Sequence, residues 1–213
     1  MRCCGKFGSV FWCADVRRLW LASASPRRAQ LLASIGVHVS LLPPPDIDEQ
    51  PLASETALAY VTRLAAAKAR VGWDTLPAGQ HAQAAVLGAD TAVVLGERIL
   101  GKPASQVEAR AMLRDLSGRE HRVLSAVTLI TADGEYSDVS DTLVRFAELS
   151  ADDIARYVAS GEPMDKAGSY AVQGFAAVFV EQISGSYSGV VGLPLAETGR
   201  LLRQAGVGIW QAR

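Results

Sequence analysis

Ala84-Ala85-Val86-Leu87-Gly88-Ala89-Asp90-Thr91-Ala92-Val93-Val94-Leu95 is a long apolar run rich in β-branched residues. It predicts a central strand buried on both faces. Asp90 breaks the apolar pattern, and the strand is expected to be interrupted there. A carboxylate in such surroundings is costly unless it is paired or metal-bound. Asp90 is therefore either a structural acid bonded to backbone amides or a functional group. Gly88 admits close backbone approach, and Thr91 adds a hydroxyl.

Working outward, Gly96-Glu97 turns the chain back into Arg98-Ile99-Leu100. Ser105-Gln106-Val107-Glu108 is a capping box opening a helix to about Leu116, closed by Ser117-Gly118. His121 to Thr131 and Ser137 to Phe146 predict two strands joined at Asp133-Gly134. Ser150 caps a helix ending at Gly161, Ala176 to Ile183 predicts a strand, and Pro194 opens a last helix closing near Gly206. Upstream, a helix runs from about Glu55 to Val71, capped by Ser54, with Leu58, Val61, Leu64 and Ala65 on its apolar face and Lys68 continuing that face. The loop Gly72 to Gln83 follows it, and Val37 to Leu42 predicts a strand before Pro43-Pro44-Pro45. The pattern is α/β, or mixed α+β. The expected architecture is a twisted mixed sheet flanked by helices, with a cleft between two lobes.

Near the N-terminus, Leu19-Trp20-Leu21-Ala22 leads through Ser23-Ala24-Ser25-Pro26-Arg27-Arg28 into Ala29 to Gly36. That is strand, turn and helix, with Ser25 as N-cap, Pro26 at the first helical position and Gly36 at the far end. Arg27 and Arg28 sit where the helix dipole repels cations. They are either solvated surface arginines or the holders of a phosphate, which the same helix start attracts.

The 213 residues suit one large domain or one with two lobes. With 49% hydrophobic and 20% charged residues and a net charge of −1, the chain has no basic field for nucleic acid. No apolar run approaches the roughly 18 residues of a membrane span. Cys3, Cys4 and Cys13 are odd in number and confined to the N-terminus, which argues against a disulfide framework and for a reducing compartment. Residues 1–18 lack the apolar core and cleavage site of a secretory signal. They are expected to be a poorly ordered appendage, or to follow from a start codon assigned too early, with a single domain over 19–213.

Other candidates are weaker alone. Asp46-Ile47-Asp48-Glu49 offers hard oxygens for Mg²⁺ or Mn²⁺, or is a solvated loop. Lys102 and Lys166 lie in Gly101-Lys102-Pro103 and Asp165-Lys166-Ala167-Gly168, as fixed cations or plain turn residues, and Lys68 can snorkel. Gln173-Gly174 is either a strand end or an amide offered to a base edge. No Walker or dinucleotide glycine loop and no nucleophile elbow occurs. His38, His81 and His121 show no ligand spacing. Together the basic residues and the carboxylates Glu49 and Asp90 form the toolkit of metal-assisted phosphoanhydride hydrolysis.

These blocks, with Asp48-Glu49, Arg63 to Ala69, Gly88 to Thr91, Asp165 to Tyr170 and Gly185-Ser186-Tyr187 to Gly192-Leu193-Pro194, occur in an order that resembles the Maf family of nucleoside triphosphate pyrophosphatases, also labelled septum formation inhibitors. The resemblance runs from about Leu19 to Leu202. It implies a fold similar to the inosine triphosphatases, a divalent metal (Mg²⁺ or Mn²⁺), a homodimer, and hydrolysis between the α and β phosphates, while the cysteine usage points to the cytoplasm. It matches Asp90 to the proton acceptor, and Ser23, Arg28, Glu49, Lys68 and Lys102 to other cleft residues. Glu49 and Asp90 are the expected metal ligands, and Arg27 and Lys166 are further expected phosphate contacts. Arg27, Thr91 and Gln173 resemble the members acting on dTTP and UTP rather than on 7-methyl-GTP. The Gln173 amide can both donate and accept toward the O4/N3 edge of uracil or thymine.

Overall fold

A computed structural model describes residues 17–211. The appendage expected over residues 1–18 therefore lies largely outside the described residues, and the first strand, β1 (Arg18–Leu21), already begins at its last position. The chain continues through α1 (Pro26–Ser34), β2 (Val39–Leu41), α2 (Ala57–Asp74), β3 (Ala84–Leu95), β4 (Arg98–Leu100) and α3 (Gln106–Leu116). The hairpin β5 (Glu120–Thr131) and β6 (Gly134–Phe146) follows, then α4 (Ala151–Ala159), β7 (Val180–Ser184), α5 (Tyr187–Val191) and α6 (Leu195–Gln204). Among the described residues, no helix is long and apolar enough to cross a membrane.

The sheet order is β2-β1-β3-β5-β6-β7, with β4 also on β3. β2, β1 and β3 are parallel, whereas β5, β6 and β7 alternate antiparallel beyond β3. One edge of β3 is shared by two short partners. β1 pairs with it as far as Leu87, and β4 pairs with it from Val93. Residues 88–92 of that edge face a gap between the two partners. Their other edge remains fully laddered, with Asp90 opposite Ala126 and Thr91 opposite Ser125. The expected interruption at Asp90 therefore does not occur. The acid is accommodated by a side-chain partner, and the backbone runs straight through.

Alternation along β3 sorts its side chains. Ala85, Leu87 and Ala89 join a core with α1 and α6 that includes Leu32, Val127, Leu193 and Leu202. Val93, on the same face, joins a second core with α3 and α4 around Leu113, Phe146, Ile154 and Val158. Thr91 falls between the two. Ala92 and Val94 point the other way, against Val61 and Ala65 of α2. Two cores at opposite ends of one sheet face, with an opening between them, give the two-lobed shape expected from the sequence.

Several local expectations need correction. α2 is capped by Thr56, whose hydroxyl accepts from the Ala59 amide, while Ser54 adopts φ +60°. Its apolar face excludes Leu58, which is 52% exposed. The helix persists to Asp74, and Ala78–Gln83 forms a 3₁₀ turn where a loop was expected. The expected strand at Ala176 starts only at Val180, because Phe175–Phe179 coils into a 3₁₀ turn burying Ala176 and Phe179.

Candidate active site

The gap beside β3 opens into a cleft of about 790 Å³ lined by both lobes. Asp90 enters it from β3, on the same face as Gly88 and α2. At Gly88 a Cβ would stand 2.4 Å from the Ala65 carbonyl oxygen and 2.5 Å from the Ala69 nitrogen. Glycine therefore lets α2 lie directly on the strand, and this brings Lys68 onto Asp90. Lys68 Nζ lies 2.7 Å from Asp90 Oδ1 and 2.6 Å from Glu49 Oε1. Lys68 is only 8% exposed, so it does not snorkel to solvent. It is the counter-ion that makes a carboxylate tolerable inside the sheet.

Glu49 reaches this point from the loop before α2. The Tyr60 hydroxyl donates to the Glu49 carbonyl at 3.0 Å, and Arg63 Nη2 donates to the Gln50 carbonyl at 3.1 Å. Arg63 also forks onto Glu55 at 2.7 and 2.8 Å. The acidic cluster splits: Glu49 lines the cleft and Asp46 and Asp48 do not, Asp48 instead accepting from the Gln50 amide.

Arg28 turns inward from the first turn of α1. Its Nε donates to the Gly192 carbonyl at 2.8 Å and its Nη1 to Ser23 Oγ at 3.0 Å. Ser23 Oγ also accepts from the Ser25 amide, and the Ser25 side chain makes no capping bond, contrary to expectation. Arg27 stays nearer the rim, 3.9 Å from Asp165. Thr91 Oγ1 and Ser125 Oγ are 2.8 Å apart, and Ser125 donates to the Gly189 carbonyl at 2.6 Å. With the serine proton committed, Thr91 donates to Ser125 and presents lone pairs to the cleft.

The second lobe supplies Lys102, Lys166 and Gln173. The turn holding Lys166 is docked by the Gly168 amide, which donates to the Gly101 carbonyl at 3.1 Å. Lys166 Nζ donates to the Glu162 carbonyl at 2.8 Å and pairs with Asp165. Gln173 is exposed.

The electrostatics divide the two acids. Burial raises the Asp90 pKa, against the opposing pull of Lys68 and Arg28. Burial also raises Glu49, but Lys68, Lys102 and Arg28 outweigh it and hold Glu49 below the usual carboxylate range. Burial lowers Arg28, with Asp90 opposing. One acid is thus poised to take up a proton and the other to stay ionised. Among the described residues no three His, Cys, Asp or Glu side chains converge as a metal cage. Lys68 takes one oxygen each from Glu49 and Asp90. That point is held by the Lys68 ammonium; the two carboxylates are hard oxygen donors of the type that suits Mg²⁺ or Mn²⁺.

Sequence reasoning did not single out Ser125, Tyr60, Glu162 or the Gly192 carbonyl. Ser125 meets Thr91 only through strand register, and Gly192 acts through its backbone, so neither leaves a residue-type signal.

The family model described as Maf-like protein matches residues 18–205. A dTTP/UTP pyrophosphatase from Alcanivorax borkumensis is 51% identical over 193 residues, covering 91% of this chain and 98% of the relative. Proteins of that name from Shewanella sp. strain MR-7 and Nitrosospira multiformis are 53% and 48% identical, covering 89% and 91% of this chain and 98% and 97% of their own lengths. Over nearly all its described length, then, the chain belongs to the Maf-like protein family.

Proposed function

We propose that the chain hydrolyses dTTP and UTP to the monophosphate and pyrophosphate. The observation that carries this reading is the buried Asp90–Lys68 pair, joined by the half-exposed Glu49, facing Arg28 across a nucleotide-sized cleft. The relatives named for this activity support the substrate choice.

Arg28, Lys102, Lys166 and the first amides of α1 bind the phosphates, with Arg27 at the rim. Ser23 keeps the Arg28 fork oriented. Asp90 takes a proton from the attacking water as its oxygen bonds to one phosphorus, and the α–β anhydride bond breaks. Burial raises the Asp90 pKa, which makes it a better proton acceptor than an ordinary aspartate. Glu49 and Asp90 would hold a divalent cation, Mg²⁺ or Mn²⁺, which neutralises charge developing on the phosphates. Thr91, Arg27 and Gln173 select the pyrimidine. The family resemblance further supports a homodimer, and the cysteine usage supports a cytoplasmic location. The intact set of acids and cations favours catalysis over a purely binding role in septation.

The test is incubation with Mg²⁺ and a panel of nucleoside triphosphates, measuring pyrophosphate and monophosphate. Preferential turnover of dTTP and UTP is expected. Preference for a purine overturns the selectivity, and no turnover from folded protein overturns the activity.

A further inference from the structure

Gln173 stands on a short turn between Tyr170 and the 3₁₀ segment Phe175–Phe179, with no strand or helix of its own to hold it. An exposed amide on such a turn selects a base only if its backbone is fixed. The Gly174 amide closes the turn on the Ala171 carbonyl at 3.0 Å, and two side chains, Glu162 and Tyr157, tie it to the rest of the lobe. The Glu162 carboxylate accepts from the Phe175 amide at 3.1 Å through Oε2. Through Oε1 it accepts from the Tyr157 hydroxyl at 2.9 Å and, more weakly, from the Ala176 amide at 3.5 Å. Gly174 lies flat on this carboxylate: a Cβ there would stand 2.2 Å from Glu162 Oε2. Tyr157, in turn, accepts from the Ala171 amide at 3.3 Å. The turn carrying Gln173 is thus gripped on both sides, at Ala171 and at Phe175, by one hydrogen-bonded Tyr157–Glu162 pair.

The same residue acts at a second point. Its backbone carbonyl receives Lys166 Nζ at 2.8 Å. Glu162 therefore connects a cation on the phosphate side of the cleft with the amide on the base side. Glu162 is not among the residues lining the cleft, so it works through others.

We propose that Glu162 is a positioning residue for base selection, holding the Gln173–Gly174 turn so that the Gln173 amide meets the pyrimidine edge. This rests on the pyrimidine-nucleotide reading given above. The carboxylate is the required form. It accepts on both oxygens, whereas a glutamine would turn an NH₂ toward one of the donors. Glu162→Gln should keep part of the grip, since the Tyr157 hydroxyl can rotate to accept. Glu162→Ala should release it.

The experiment measures kcat and KM for dTTP, UTP, CTP and GTP in wild type, Glu162→Gln, Glu162→Ala, Gln173→Ala and the Glu162→Ala/Gln173→Ala double variant. Folding is checked by circular dichroism and thermal melting. Glu162→Ala should raise KM for dTTP and UTP about tenfold, as expected for loss of a charge-assisted hydrogen-bonded anchor. CTP and GTP should change little, so selectivity falls, and Glu162→Gln should lie between. In the double variant the loss should be close to that of Gln173→Ala alone, because both changes remove one interaction. Equal losses for all four nucleotides, unchanged selectivity, or additive losses in the double variant would each overturn the proposal. A wild type that does not prefer dTTP and UTP overturns the functional reading, and this proposal with it. A selective wild type with an equally selective Glu162→Ala overturns the proposal alone.

Discussion

Lys68 Nζ lies 2.7 Å from Asp90 Oδ1, and both side chains are only 10% exposed. A helix and a strand are locked together here by one ion pair, and its strength depends on the proton that Asp90 is suited to accept. Burial disfavours the Asp90 carboxylate and Lys68 favours it, so each sets the other's chemistry. Activity that needs ionised Asp90 should fall at acid pH, with a limb above the ordinary aspartate value of about 3.9. Lys68→Met removes the largest opposing cause and should move that limb to higher pH. Asp90→Asn should lower kcat about 100- to 10,000-fold with the fold intact, the range expected for loss of a general base. The pH profile of kcat/KM in wild type and Lys68→Met is the check. Coincident limbs would remove Asp90 from the role.

Gly88 sets the distance between α2 and β3. A methyl group there would meet the Ala65 carbonyl at 2.4 Å, and a helix backbone cannot give way as a flexible side chain can. Gly88→Ala should therefore cost about 3 kcal/mol, at the upper end of overpacking penalties. It should also pull Lys68 away from Asp90. Urea denaturation measures the first effect and kcat the second. A variant as stable and as active as wild type would mean that α2 is free to shift.

Much of this arrangement could be read from the sequence, and the parts that could not share a cause. The β3 run was legible because twelve residues of one character leave little alternative. Its continuity through Asp90 was not, because the residue that compensates the acid lies 22 positions away on a helix. Ser54 and Thr56 are both competent caps two residues apart, and only the backbone at Ser54, with φ +60°, decides between them. The run Phe175–Phe179 has strand composition, but Ala176 and Phe179 are buried three apart, a spacing that suits a 3₁₀ turn. The basic and acidic site residues stood out by type. Ser125, Glu162 and the Gly192 carbonyl act through register or backbone and did not.

His121 gives the fold its own pH dependence, apart from the cleft. It is 2% exposed, its Nε2 is 2.9 Å from the Tyr170 hydroxyl, and its Nδ1 has no partner. Burial lowers its pKa from 6.5 to about 4. The unfolded chain therefore binds a proton that the folded chain refuses between these values. The stability is present above about pH 6.5 and is lost as pH falls toward 4. Between pH 7 and pH 5 the loss should be about 2 kcal/mol. Urea melts of wild type and His121→Phe at both pH values test this. A wild-type loss no greater than that of His121→Phe would assign the acid sensitivity elsewhere.

Arg63 holds the loop that delivers Glu49. It forks onto Glu55 at 2.7 and 2.8 Å and holds the Gln50 carbonyl, one residue beyond Glu49. Arg63, helped by the Leu52 amide, holds the Glu55 carboxyl down at about 2, so the pair stays ionised throughout the working pH range. Arg63→Met should free the loop while leaving the Lys68–Asp90 pair intact. Global stability should change by less than about 1 kcal/mol, as for other partly exposed ion pairs. Because Glu49 is then presented only part of the time, kcat/KM should drop about tenfold, and higher Mg²⁺ should recover part of the loss. A titration of activity against Mg²⁺ in wild type and Arg63→Met decides the point. A lower plateau with an unchanged midpoint would show that Arg63 acts on the substrate and not on the acid it holds in place.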